Sequence, residues 1–179
     1  MNRTSTELDD IDRIERQWHR ERPDLDPSPM QVIGRISRLH WMLEEQLARV
    51  FDEFDLSRGE FDVLATLRRS GAPFELSAGE LRGSTMVTSG AVTKRVDRLE
   101  RAGLVHRRAA EGDARGRLIQ LTDRGRAIID EAIGRHLRNE TRLLAGLTGE
   151  ERRALITLLR KLNQTLPRAV SGDDRHHRA

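Results

Sequence analysis

The sequence predicts a mainly helical fold carrying one small β-hairpin. Apolar residues recur at helical spacing along most of the chain. Three helix starts are marked by a hydroxyl residue followed three positions later by Glu: Ser57 with Glu60, Ser77 with Glu80, and Thr148 with Glu151. In such a capping box the two side chains satisfy helix-end N–H groups that have no intrahelical partner. Between residues 104 and 121 the pattern changes to two short β-prone runs around a Gly- and Asp-containing segment, which is a hairpin signal.

Taken in order, residues 1–8 read as a frayed tail. Residues 9–21 suit a short helix with Ile11, Ile14 and Trp18 on one face. Pro23, Pro27 and Pro29 then predict an extended link. From Met30 a long helix should run to about Phe54, with a stripe of Ile33, Ile36, Leu43, Leu47 and Val50, widened by Leu39 and Met42. That is more apolar face than one small chain needs, and it points to a second copy. Ser57 opens a helix through Arg69, stopped by Ser70, Gly71, Ala72 and Pro73, and Ser77 opens a very short one from Ala78 to about Gly83. Thr88 or Ser89 can cap the next helix, which reaches Ala102 and ends at Gly103. Residues 104–108 and 117–121 are the strands, joined by a turn-rich segment over 111–116 with Arg115 at its tip. Thr122 caps a long helix from 123 to about 144, and Thr148 opens the last, through Leu166. The polar tail from Ser171 is expected to be disordered, and its His176-His177 pair is too short to imply a metal site.

The bulk properties fit a DNA-binding role. The 179 residues carry a formal charge of +3, 34% charged residues and a mean hydropathy of −0.64. Between Arg82 and Arg117, however, nine basic residues face four acidic ones, giving that stretch +5 and the remainder −2. Positive charge concentrated in one segment is the footprint of a phosphate-binding surface. The chain has no cysteine, which excludes disulfides and thiol redox sensing. No apolar run is long enough to span a membrane, and the acidic N-terminus has no signal-like apolar core, so a cytoplasmic address is expected.

A short helix, a turn, a second helix and a hairpin, in that order, make a winged helix-turn-helix. In the helix after Thr88, Val92, Val96 and Leu99 form the inward stripe. The other faces present Ser89, Gly90, Thr93, Lys94, Arg95, Arg98 and Arg101. Small and hydroxyl side chains let the N-terminal end enter a major groove, where Ser89, Thr93, Lys94 and Arg98 can reach bases or phosphates. Gly90 permits close approach, and Arg115 suits an adjacent minor groove.

At the level of motifs, the run from Leu56 to Leu64, the segment Ser89-Gly90-Ala91-Val92-Thr93 before Asp97-Arg98-Leu99-Glu100, and Asp113-Ala114-Arg115-Gly116 resemble the MarR family of regulators over about residues 9–166. The resemblance implies an obligate homodimer, formed through the N- and C-terminal helices, that binds pseudo-palindromic double-stranded DNA. It divides the chain into an N-terminal extension with a short helix (1–29), dimerisation helices (30–54 and 123–166), a DNA-binding lobe (55–122) and a disordered tail (167–179). The extension, with Ile14-Glu15-Arg16-Gln17-Trp18 and Arg22-Pro23-Asp24-Leu25-Asp26, is similar to the urate-responsive branch of that family. The likeness implies Trp18, Asp62 and Arg107 as ligand-binding residues and Asp62 with Arg95 as an allosteric relay. It implies no cofactor, only an effector: a small aromatic anion, urate or a related purine. The chemistry fits, since an indole can stack on a planar purine and an arginine can pair with its charge. Asp62 repels an anion unless protonated, so an Asp62–Arg95 pair would be disturbed by the ligand.

Three other readings stand beside this one. The effector could be a phenolic or aromatic carboxylate, or the chain could be an architectural DNA-binding protein without a ligand switch. An enzyme is the third, but no P-loop, nucleophile elbow, zincin or dinucleotide motif occurs, and His19, His40, His106 and His136 are dispersed.

Overall fold

A computed structural model of the chain describes residues 8–84, 89–110 and 113–166. The chain divides into two compact units, one through Leu137 and one from Arg138. Among the described residues no helix is long and apolar enough to cross a membrane.

Helix α1 (Asp10–Glu21) begins at Asp9, whose carboxylate accepts from the N–H groups of Ile11 and Asp12. Asp12 returns the favour to the Asp9 N–H, so an acidic pair does the work of a capping box. The helix packs on α2 (Met30–Asp52) through Ile11, which is buried against Gly34. A Cβ added at Gly34 would lie 3.0 Å from Ile11 Cδ1, so glycine is what lets the helices approach. Arg35 of α2 reaches back to Asp9 at 2.9 Å and Asp12 at 2.8 Å, and Arg38 pairs with Asp10. Ile14 and Trp18, expected on the same face as Ile11, remain exposed. The link between the helices is not extended. Leu25 N–H donates to Arg22 O and Met30 N–H to Pro27 O, closing two turns. Asp24 pairs with Arg22, and Asp26 accepts from Ser28 N–H and Oγ, so short acidic side chains overrule the prolines' extended preference.

Helix α3 (Arg58–Arg69) starts at the Ser57–Glu60 capping box, with both halves formed. A three-residue strand β1 (Glu75–Ser77) and α4 (Ala78–Ser84) follow, with Ser77 and Glu80 bonded reciprocally. Helix α5 (Ser89–Arg101) buries Val92, Val96 and Leu99, the stripe its sequence predicts. Thr88, the alternative cap, lies outside the described residues.

Strands β2 (Val105–Ala110) and β3 (Asp113–Leu121) are longer than expected. The segment read as a turn over 111–116 contributes 113–116 to β3, because Ala110 pairs with Asp113 across a register shift after Ala109. Strand β1 joins the other edge of β3, pairing Leu76 with Ile119, so the sheet is antiparallel in the order β1-β3-β2. Helix α6 (Asp123–Leu143) begins where Thr122 Oγ1 accepts from Gly125 N–H. The core gathers Leu64 and Leu67 of α3, Leu81 of α4, the α5 stripe, Ile119 of β3 and Ile129 of α6. His136 stacks on Phe51 at 5.5 Å and meets Phe61 at a tilt, 4.9 Å away, while the two phenyl rings touch each other, and this trio fastens α6 to α2 and α3.

In the second unit, helix α7 (Gly149–Thr165) has its Thr148–Glu151 capping box in place. Arg152 donates to the carbonyls of Leu144 and Leu147, closing the preceding helix end. No residue of α7 is buried.

Candidate nucleic-acid interface and effector residues

The reading surface rests on how α5 is braced. Its apolar stripe fixes the rotation of the helix, which leaves Thr93, Lys94, Arg98 and Arg101 exposed. Arg98 is 61% exposed, yet its Nε lies 3.1 Å from the Glu60 carboxylate on α3, whose side chain is 3% exposed. The backbones of Ser89 and Gly90 open α5 and that of Arg115 lies in β3, while the side chains at these positions are outside the described residues.

The effector residues do not gather in one place in the single chain. Trp18 is on α1, 47% exposed. Asp62 is partly buried on α3. Arg95 lies on the flank of α5 that faces α3, so close to Gly59 that a Cβ there would collide with the guanidinium. Its Nη1 is buried with no hydrogen-bond partner among the described residues, and no ion pair there joins it to Asp62. Arg107, on β2, works on the opposite flank of α5. It pairs with Asp97 and Glu100, and its backbone N–H donates to Glu100 at 2.9 Å. Partial burial pulls the Arg107 guanidinium toward neutrality, but its hydrogen bonds to Asp97 and Glu100 outweigh this and hold it above its ordinary value. The sheet is fastened similarly. Arg108 grips Glu75 through two hydrogen bonds of 2.7 and 2.6 Å, and the bond holds Glu75 below the usual carboxylate range.

Two residues escaped sequence reasoning. Arg82 of α4 and Arg117 of β3 join Arg107, Thr93, Val96 and Ile119 around a cavity of about 210 Å³. Both were counted in the basic segment, but only the fold shows that they converge. A second cleft, about 400 Å³, lies between the C-terminal end of α5 and the starts of α3 and α6. Neither cavity is lined by Trp18 or Asp62.

Helix α4, helix α5 and the β2–β3 hairpin together define a winged helix-turn-helix DNA-binding protein. The chain belongs to the MarR family, whose model matches residues 54–116. It is 42% identical to the transcriptional regulator PecS of Dickeya dadantii over 157 residues, which is 88% of this chain and 95% of PecS. It is also similar to a mutant of Escherichia coli MarR solved in complex with operator DNA, with 27% identity and a TM-score of 0.64. That match covers 84% of this chain and 98% of the other. The fold is shared with Bordetella bronchiseptica BpsR, whose DNA binding is regulated by 6-hydroxynicotinic acid, at a TM-score of 0.65 and 24% identity, over 75% of this chain and 94% of that one. The chain is therefore a DNA-binding transcriptional regulator and not an enzyme.

Proposed function

We propose that this regulator binds a pseudo-palindromic operator as a homodimer, acts chiefly as a repressor, and is released by urate or a related purine anion. Lys94, Thr93 and Arg98, with Ser89 and Gly90 at the helix start, face the DNA, and Arg115 of the wing enters the adjacent minor groove. The observation that carries the effector reading is the Arg95 guanidinium, whose Nη1 is buried without an acceptor among the described residues, on the α5 flank facing α3. A buried cationic donor left unpaired is costly, and an anion arriving there relieves that cost. Asp62 lies on the neighbouring helix, where an arriving anion meets like charge, and the exposed indole of Trp18 on α1 offers a face on which a planar purine can stack. Because Arg95 sits on the reading helix itself, engaging it shifts the helix relative to α3. That is a two-state element biased by ligand.

The arginine-lined cavity beside Arg107 favours a second reading, in which the effector is a small aromatic carboxylate held by Arg82, Arg107 and Arg117. A gel-shift titration against the DNA flanking its own gene, with urate and with an aromatic acid, separates the two. Urate is expected to release the complex, and Trp18→Phe to blunt that response while sparing DNA affinity. Release by the aromatic acid alone, abolished by Arg82→Ala, would replace the first reading with the second.

A further inference from the structure

Glu60 does two jobs with one carboxylate. Its Oε2 accepts from Ser57 N–H at 2.8 Å and Ser57 Oγ at 2.7 Å, closing the start of α3. Its Oε1 holds Arg98 Nε at 3.1 Å. The Glu60 side chain is 3% exposed, while the arginine it holds is 61% exposed. Burying a carboxylate is expensive unless it is paired and hydrogen-bonded, and Arg98 together with Ser57 meets both conditions. The geometry also decides which part of Arg98 is left over. Among the described residues the contact with Glu60 runs through Nε, which leaves the Nη N–H donors turned to another acceptor.

We propose that Glu60 is a positioning residue for DNA recognition: through the Oε1–Nε contact it pre-orders Arg98 so that the Nη face of the guanidinium meets a backbone phosphate. This rests on the reading of Arg98 as a DNA contact. An exposed arginine loses rotamer freedom when it docks, and that loss weakens binding. A buried, doubly anchored carboxylate imposes much of that order beforehand. Glu60 thus ties the start of α3, a rigid part of the lobe, to the presenting surface of α5. The sign of its effect is diagnostic. A carboxylate that acted only through its charge would repel phosphate, and removing it would tighten DNA binding.

The test is a double-mutant cycle on the full-length protein, read by fluorescence anisotropy with labelled operator over a series of salt concentrations. Glu60→Gln keeps an oxygen for the Ser57 cap but gives up the anionic hold on Arg98. It is expected to weaken operator binding about fivefold, with the salt dependence unchanged. In an Arg98→Ala background the same substitution is expected to change nothing, while Arg98→Ala alone lowers the log–log salt slope by about one. Equal losses in both backgrounds, no loss, or tighter binding by Glu60→Gln would overturn the proposal. Should Arg98→Ala leave affinity and slope untouched, Arg98 is not a phosphate contact, and the positioning role falls with it. Arg98→Lys keeps a cation beside Glu60 at an exposed position but lacks the Nε. Its expected result is the same roughly fivefold loss at an unchanged slope, and native affinity would likewise overturn the proposal.

Discussion

Close approach between Gly59 and Arg95 sets the spacing of α3 and α5 at the point where the effector reading places its switch. Alanine at position 59 would put a methyl group into the guanidinium, and neither helix backbone can retreat without disturbing the stripe of Val92, Val96 and Leu99. Gly59→Ala is therefore expected to cost about 1–3 kcal/mol, measured by urea unfolding. Unchanged stability would mean that Arg95 swings aside freely. At this scale the sequence was partly legible. Residue types at Trp18, Asp62, Arg95 and Arg107 suggested chemistry, but not which partners each one already has. Arg107 illustrates the gap. Its carboxylate partners lie seven and ten residues earlier, across a helix end and a turn, and only the fold brings Asp97 and Glu100 onto it. Arg107→Gln is expected to loosen the joint between reading helix and hairpin. Its signature would be faster hydrogen exchange over β2, whether or not an effector is present.

Elements marked by local chemistry were read well, and those defined by distant pairing were not. Ser57, Ser77, Thr122 and Thr148 all accept helix-start N–H groups, because capping depends on residues three positions apart at most. Strand β1 has three residues, too few to show a period-two pattern, and it exists only because β3, more than forty residues later, offers an edge. Helix α1 combines both kinds of information. Its periodicity was visible, but its docking depends on Gly34, Arg35 and Arg38 of another helix. The hydrogen bond from Arg35 holds the Asp12 carboxyl below its ordinary value. Its folded-state value is depressed, so the contribution is complete above the unfolded carboxylate range and is lost as the pH falls through the lower folded value. Helix α1 should thus stay docked at neutral pH and release in acid, and earlier in the titration in Arg35→Gln. Fluorescence anisotropy of Trp18 in a Trp41→Phe background reads this directly, since these are the chain's two tryptophans. A pH-independent anisotropy in both proteins would show that Ile11 alone keeps the helix in place.

Considered as a whole molecule, the chain leaves many large apolar side chains uncovered on α2 and α7. On α2, Trp41 is 76% exposed, and Val32, Ile33, Leu39 and Met42 are also open to solvent. On α7, Ile156, Leu158 and Leu159 are exposed in the same way. Exposed large apolar side chains in such number point to an interface in a protein of otherwise charged surface. A dimer is typical of the family, and two-fold symmetry is what a pseudo-palindromic operator requires of its reader. The two halves of the function are then linked energetically. On the proposed reading each reading helix holds one half-site, so affinity for the full operator would depend on the covering of α2 by a second copy. Placing a carboxylate in the patch tests this, because an ionised group cannot be desolvated there without a partner. Trp41→Asp is expected to shift the protein from dimer to monomer in sedimentation equilibrium and to abolish the rise of Tm with protein concentration that a native dimer shows. It should also weaken operator binding by about a hundredfold or more while leaving weak, salt-sensitive binding to random DNA. A Trp41→Asp protein that stays dimeric and binds its operator normally would move the interface off this face of α2, and the exposed apolar face of α7 would then be the surface to mutate.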